Sequence, residues 1–201
     1  MTPEYKNFSA VILAAGKSER MGFPKLELQF DGERSFAEKI IETVGELKPL
    51  ECVMVVNQDG LKWLNSNNLN ISDKVKSVLN DDPDRGRFYS LQCGLKSLNS
   101  RGNILIINID NPFINKDICL NMLRQINDCD YIYPVFNGKG GHPLLINKTV
   151  AEGILLQYNT QMNLKEFLKS YRKKIIKVSD QKVLININTP EDYISIFQPS
   201  S

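Results

Sequence analysis

The residues of this chain best suited to chemistry lie in the stretch Val11-Ile12-Leu13-Ala14-Ala15-Gly16-Lys17-Ser18-Glu19-Arg20-Met21-Gly22-Phe23-Pro24-Lys25, where an apolar run gives way to small residues and then to basic ones. After Leu13, the small side chains of Ala14, Ala15, Gly16 and Ser18 let backbone amides approach a polyphosphate, and successive amides in a turn form an anion-holding nest. Arg20 can grip two phosphate oxygens at once, and Lys25 acts as a point charge. Two familiar phosphate motifs are excluded. In a Walker A loop ending at Gly16-Lys17-Ser18 the first glycine would fall on Val11, and the dinucleotide fingerprint has Ser18 where its second glycine belongs. The plain alternative is a strand-to-helix turn with solvated basic residues.

Asp110 follows an apolar run, in Asn108-Ile109-Asp110-Asn111-Pro112. A carboxylate at the carboxyl end of a strand lies at the ligand edge of an open α/β sheet and can hold Mg²⁺, which needs only one or two protein oxygens beside phosphates and water. An Asx turn ahead of proline is the competing reading. Ser90 is expected at the start of a helix over 90–98, offering its hydroxyl and nearby free amides to a base or phosphate, or acting as a plain N-cap. His142, the one histidine, sits between Gly141 and Pro143 at a strand start.

The elements that position these residues follow from apolar spacing. Ala10–Leu13, Cys52–Val56, Val75–Leu79, Ile104–Asn108 and Tyr131–Val135 are short β-branched runs, several of them apolar at consecutive positions, as in strands covered on both faces. Phe36, Ile40, Ile41, Val44 and Leu47 repeat at helical spacing behind a Ser35/Glu38 capping box. Asn115 caps a helix with the face Ile118, Cys119, Met122, Leu123 and Ile126, and Thr189-Pro190-Glu191-Asp192 opens the last helix. The βαβα order predicts a doubly wound, mostly parallel α/β sheet flanked by helices. The runs Pro143–Asn147, Lys174–Val178 and Lys182–Asn186 are expected to include an antiparallel element at its edge.

One domain over residues 1–201 is the expectation from length. The formal net charge of +2, with acidic and basic residues interspersed, does not imply a nucleic-acid partner. The apolar run Ala10–Ala15 is too short for a signal-peptide core or a membrane span, so a cytoplasmic protein is expected. Cys52, Cys93, Cys119 and Cys129 show no CxxC pair and read as reduced thiols, the first three within packed apolar patterns.

The loop LAAGxSxRMGxxK, the segment from Asp82-Pro83 to Gly94 in which Gly86 and Ser90 match G-x-x-x-S, Asp110 with Pro112, Gly141-His142-Pro143, and Asn186-Ile187-Asn188-Thr189-Pro190-Glu191-Asp192 together resemble the MobA-like NTP transferases. Within them the chain most resembles the MocA branch, the molybdenum cofactor cytidylyltransferases. The resemblance implies a Rossmann-like, Mg²⁺-dependent nucleotidyltransferase in which Arg20, Lys25 and Asp110 are catalytic. It implies CTP as the favoured NTP and molybdopterin as the favoured phosphorylated acceptor, with a molybdoenzyme apoprotein as a further partner. Gly86 and Ser90 join the loop in binding nucleotide, and His142 falls on the acceptor side. The closing motif departs from the MocA pattern D-I-D-T-P-E-D, because Asn186 and Asn188 stand where metal-binding aspartates are expected. Amide oxygens can coordinate a hard cation without adding charge, so weaker metal binding is expected, unless both residues serve only as turn and cap. The N-I-N-T-P-E-D wording is that of the guanylyltransferase branch, whereas that branch carries glycine at the position of Ala15. A sugar- or polyol-phosphate nucleotidyltransferase and a cofactor-carrying chaperone are the other readings.

Overall fold

A computed structural model describes residues 7–67, 75–100 and 102–197. Its strands are β1 (Phe8–Ala14), β2 (Cys52–Val56), β3 (Val75–Leu79), β4 (Asn103–Asn108), β5 (Tyr131–Phe136), β6 (Lys139–Gly140), β7 (Leu144–Ile146) and β8 (Lys173–Lys177). Its α-helices are α1 (Phe36–Glu46), α2 (Gln58–Ser66), α3 (Gly86–Ser97), α4 (Lys116–Gln125), α5 (Lys148–Leu155), α6 (Leu164–Phe167) and α7 (Pro190–Phe197). The eight strands form a mixed sheet in the order β3-β2-β1-β4-β7-β5-β6, with β8 paired to β5. The first four are mutually parallel.

Every residue of β1 and β2 is buried, which explains their unbroken apolar sequences. Phe8, Ala10 and Ile12 of β1 face a layer built from Phe36, Ile40 and Val44 of α1 and Cys119 and Met122 of α4. Val11 and Leu13 face the opposite layer, with Leu91 and Leu95 of α3 and Val150 and Ile154 of α5. Helix α3 approaches the sheet through Gly94, where a Cβ would come within 2.6 Å of Val11 Cγ1 and 2.9 Å of Val55 Cγ2.

Local signals set the helix ends. Ser35 and Glu38 make the reciprocal capping box on α1, and the Asn115 side chain accepts from the amides of Asp117 and Ile118. At α7 the Asn188 and Thr189 amides donate to Asp192 at 2.8 and 2.9 Å, while the Asp192 amide donates to Thr189 Oγ1 at 3.2 Å.

Three expectations change. The run Pro143–Asn147 supplies the antiparallel strand β7, but β7 lies between β4 and β5 rather than on an outer edge. The run Lys174–Val178 belongs to β8 and pairs parallel to β5. The run Lys182–Asn186 is no strand: Gln181–Leu184 is a 3-10 turn, and the buried Asn111 amide donates to the carbonyls of Lys182, Val183 and Ile185, taking up acceptors that a strand ladder would use.

β6 and β7 are two parts of one strand returning beside β5 after a tight turn at Asn137-Gly138, where both residues have positive φ. Val135 pairs with Gly140 and Ile132 with Leu145, so two residues of β5 stand opposite the four residues Gly141 to Leu144. This bulge interrupts the ladder at His142 and bends the strand there. Among the described residues no helix is long and apolar enough to cross a membrane.

Candidate active site

The chain winds from β1 out to β2 and β3, then returns to the other side of β1 as β4. β1 and β4 therefore flank the point where the strand order reverses, the place where open α/β sheets bind ligands. Leu13 is paired with Asn108 there, and the Ile109 amide donates to the Leu13 carbonyl at 3.1 Å. A cavity of about 230 Å³ opens between them. The loop contributes Leu13, Ala15, Gly16, Ser18 and Lys25 to its wall, α3 contributes Gly86 and Ser90, and the end of β4 contributes Asn108 and Asp110. Ala14 turns to the α1 side and packs in that layer.

Gly16 to Arg20 form an open loop. Ser18 has φ 53°, and its carbonyl accepts from the amides of Met21 at 2.8 Å and Gly22 at 3.0 Å. Among the described residues nothing accepts from the amides of Gly16, Lys17, Ser18, Glu19 or Arg20, so these donors are available to an anion. The Asn57 side chain steadies the loop, its Nδ2 donating to the Gly16 carbonyl at 3.3 Å. Lys17 pairs with Asp84 across the mouth, which raises its pKa. Arg20 is exposed and close enough to Lys25 to depress it.

Lys25 opens a 3-10 turn anchored by buried Leu26, and its ammonium donates to Asn188 Oδ1 at 2.8 Å. Burial draws the Lys25 pKa below the ordinary lysine range, with Asp110 opposing and Arg20 adding to the shift. Asn188, expected beside a metal, thus serves in this structure as the anchor of the lysine.

Among the described residues, three buried side-chain oxygens have no hydrogen-bond donor: Asn108 Oδ1, Asp110 Oδ1 and Asn186 Oδ1. Leaving one such acceptor unsatisfied costs about 1–3 kcal/mol, so the two in the pocket wall, on Asn108 and Asp110, point to a ligand that completes them. The Ile187 amide donates to the Asp110 carbonyl at 2.7 Å, which sets Asn186 beside Asp110. The turn after β4 is closed by the backbone bond from the Asn111 amide to the Asn108 carbonyl at 3.1 Å, so the Asp110 carboxylate is not consumed in an Asx turn. A hard cation held by one carboxylate and one amide oxygen, and otherwise by phosphate and water, suits this donor set. Among the described residues no cluster of three His, Cys, Asp or Glu side chains forms.

Ser90 is buried in the second turn of α3, because the helix begins at Gly86 and not at Ser90. Gly86 has φ +83° and forms the elbow between the Pro83–Arg85 turn and the helix, a conformation costly for any side chain. Ser90 Oγ donates to the Gly86 carbonyl at 3.3 Å and accepts from Asn80 Nδ2 at 2.9 Å, which fixes the elbow from below.

A second and larger cleft, about 1020 Å³, adjoins the first and contains His142. The His142 ring lies 3.1 Å from Asn108 Nδ2 through Nδ1. Burial lowers the His142 pKa, Arg87 lowers it further, and Asp110 opposes both. Two residues of this region were not legible as functional in sequence. Arg87 sits in the polar segment Asp81–Arg87 and looks like a solvated charge, while Asn108 looks like the end of a strand. Their signal is position: one occupies the first turn of a helix at the switch point, the other the last residue of the strand that faces it.

A polyphosphate-sized pocket of free amides, a half-buried lysine and an unpaired carboxylate, set at the switch point of this sheet, defines a nucleotidyltransferase. The chain belongs to the family described as the MobA-like NTP transferase domain, whose model matches residues 10–175. It is 27% identical over 205 residues to a probable molybdenum cofactor guanylyltransferase of Natranaerobius thermophilus, covering 92% of this chain and 93% of the relative. It is 23% identical over 192 residues to the molybdenum cofactor cytidylyltransferase of Escherichia coli, with the same coverage. In fold it is similar to Rv0371c of Mycobacterium tuberculosis, with a TM-score of 0.79, 17% identity and 94% and 97% of the two chains covered. A structure of that protein in complex with manganese gives a TM-score of 0.70, 17% identity and coverage of 97% and 100%.

Proposed function

We propose that this protein transfers CMP from CTP to the phosphate of molybdopterin, with Mg²⁺ as cofactor and pyrophosphate as the second product. The observation that carries the reading is the donorless oxygen of Asp110, in the wall of the cavity that also holds the free loop amides and Lys25, with the donorless oxygen of Asn186 in the adjoining segment.

In this reading the loop amides and Lys25 hold the triphosphate, Arg20 adds charge from the mouth, and Asp110 with Asn186 holds the metal. When bound, the metal supplies charge neutralisation at the phosphates. The acceptor phosphate is already ionised near neutral pH, so no general base is required. His142, kept neutral by burial and Arg87, positions the acceptor through hydrogen bonding beside Asn108. Catalysis then consists of alignment and charge stabilisation without a covalent protein intermediate.

CTP is favoured by Ala15, whose buried methyl lines the nucleotide pocket where the guanylyl branch carries glycine. GTP is the second reading, favoured by the closing motif from Asn186 to Asp192 and by the 27% identity to a probable guanylyltransferase. Incubation with Mg²⁺, molybdopterin and each of CTP, GTP, UTP and ATP, followed by mass analysis of the product, tests the proposal. Molybdopterin cytosine dinucleotide is expected. The guanine product would transfer the assignment to the second reading, and absence of both would reject the proposed function.

A further inference from the structure

The nucleotide pocket and the larger cleft share just two residues in their walls, Gly86 and Arg87. Gly86 has no side chain, so the junction presents one functional group. Arg87 is exposed where it lines the two cavities. Among the described residues it makes no hydrogen bond or ion pair, and the carboxylate that acts on it is Asp110. A guanidinium held in this way retains its full fork of donors for a ligand.

The charge around it indicates the ligand. Beyond Arg87, the larger cleft is lined by Lys165 and Lys173, both without an ion-pair partner among the described residues, and by Lys169, which pairs with Glu166 at 2.5 Å. Its acidic wall residue, Asp84, is engaged by Lys17. A cleft of this sign concentrates an anion.

Resting on the transferase reading above, we infer that Arg87 is a catalytic residue that grips the acceptor phosphate and meets the charge that develops on the α-phosphoryl group during transfer, at the junction of the two cavities. There an acceptor-phosphate oxygen uses a lone pair to form the new P–O bond to the α-phosphorus. The bond from that phosphorus to the α–β bridging oxygen breaks, and its electron pair departs with pyrophosphate. No proton is transferred. Negative charge that gathers on the α-phosphoryl oxygens lies within reach of a group that bonds two oxygens at once, a task for which a lysine is only a partial substitute.

The test compares wild type, Arg87→Ala and Arg87→Lys in pyrophosphate release with molybdopterin and Mg²⁺, alongside calorimetric binding of the non-transferable α,β-methylene analogue of the active NTP. Arg87→Ala should lower kcat/KM for molybdopterin by about 100-fold or more while the analogue's Kd changes less than about threefold, with partial recovery in Arg87→Lys and an unchanged melting temperature. Wild-type kinetics in Arg87→Ala, or a loss that merely follows weaker analogue binding, would overturn the role of Arg87 alone. No pyrophosphate from the wild type with any NTP would overturn the transferase reading, and this role with it.

Discussion

The Lys25 ammonium is tethered to the amide oxygen of Asn188 at 2.8 Å, so the amino-terminal loop and the closing motif meet at one charge. Without that acceptor a half-buried lysine loses its fixed direction. Asn188→Ala is expected to raise the KM for NTP about tenfold, the cost of one charge-assisted hydrogen bond, with a smaller loss in kcat. Steady-state kinetics at saturating acceptor measure it. An unchanged KM would mean that Lys25 is placed by other contacts.

Asn186 presents a donorless oxygen without a charge. Asn186→Asp adds that charge beside Asp110 and should lower the half-saturating Mg²⁺ concentration about tenfold, because hard-cation affinity rises with the charge of its oxygen ligands. Titration of activity with Mg²⁺ reads this directly. An equal or higher Mg²⁺ requirement would remove Asn186 from the metal site.

Two helical glycines should respond oppositely to alanine. In an open helix interior Gly→Ala stabilises by about 1 kcal/mol, and Gly45, in the last turn of α1 with no atom within 4 Å of an added Cβ, should show part of that gain. At Gly94 the new methyl meets Val11 at 2.6 Å and Val55 at 2.9 Å, both buried in the sheet. Overpacking of this kind costs about 1–3 kcal/mol and outweighs the helical gain, so Gly94→Ala should lower the urea midpoint while Gly45→Ala raises it.

Asp31 supplies the pH-dependent prediction. The Arg34 guanidinium, with the amides of Glu33 and Arg34, holds its carboxyl down at about 2 from an ordinary 3.8. A depressed carboxyl stabilises the fold fully above its ordinary value, and that contribution fades as pH falls toward the folded one. The difference in urea midpoint between wild type and Asp31→Asn should therefore be constant near neutral pH and shrink between about pH 4 and pH 2. A gap independent of pH would show that the carboxylate contributes nothing through its charge.

The parallel half of the fold was legible because burial on both faces leaves consecutive apolar residues, as in Val11-Ile12-Leu13 and Cys52–Val56, and because Ser35, Asn115 and Thr189 carry their caps locally. The switch-point pocket followed from the same order of elements. The other half depended on long-range pairing. Nothing in Leu144-Leu145-Ile146 says that it inserts between β4 and β5, and Val183-Leu184-Ile185 reads as a strand until the Asn111 amide claims its carbonyls. The start of α3 was misplaced because Gly86 and Arg87 lack apolar periodicity, and Arg87 was missed with it.

Asp110 is the residue on which the account turns. Its orphaned oxygen is a cost to the empty fold, so Asp110→Ala should leave the melting temperature equal or higher without ligand and abolish the rise that Mg²⁺ and NTP give the wild type. The most direct measurement is pyrophosphate release from Mg²⁺, CTP or GTP, and molybdopterin by wild type and by folded Asp110→Ala. The account predicts turnover in the wild type and a loss of about 1000-fold in the variant. Wild-type rates from Asp110→Ala would contradict it.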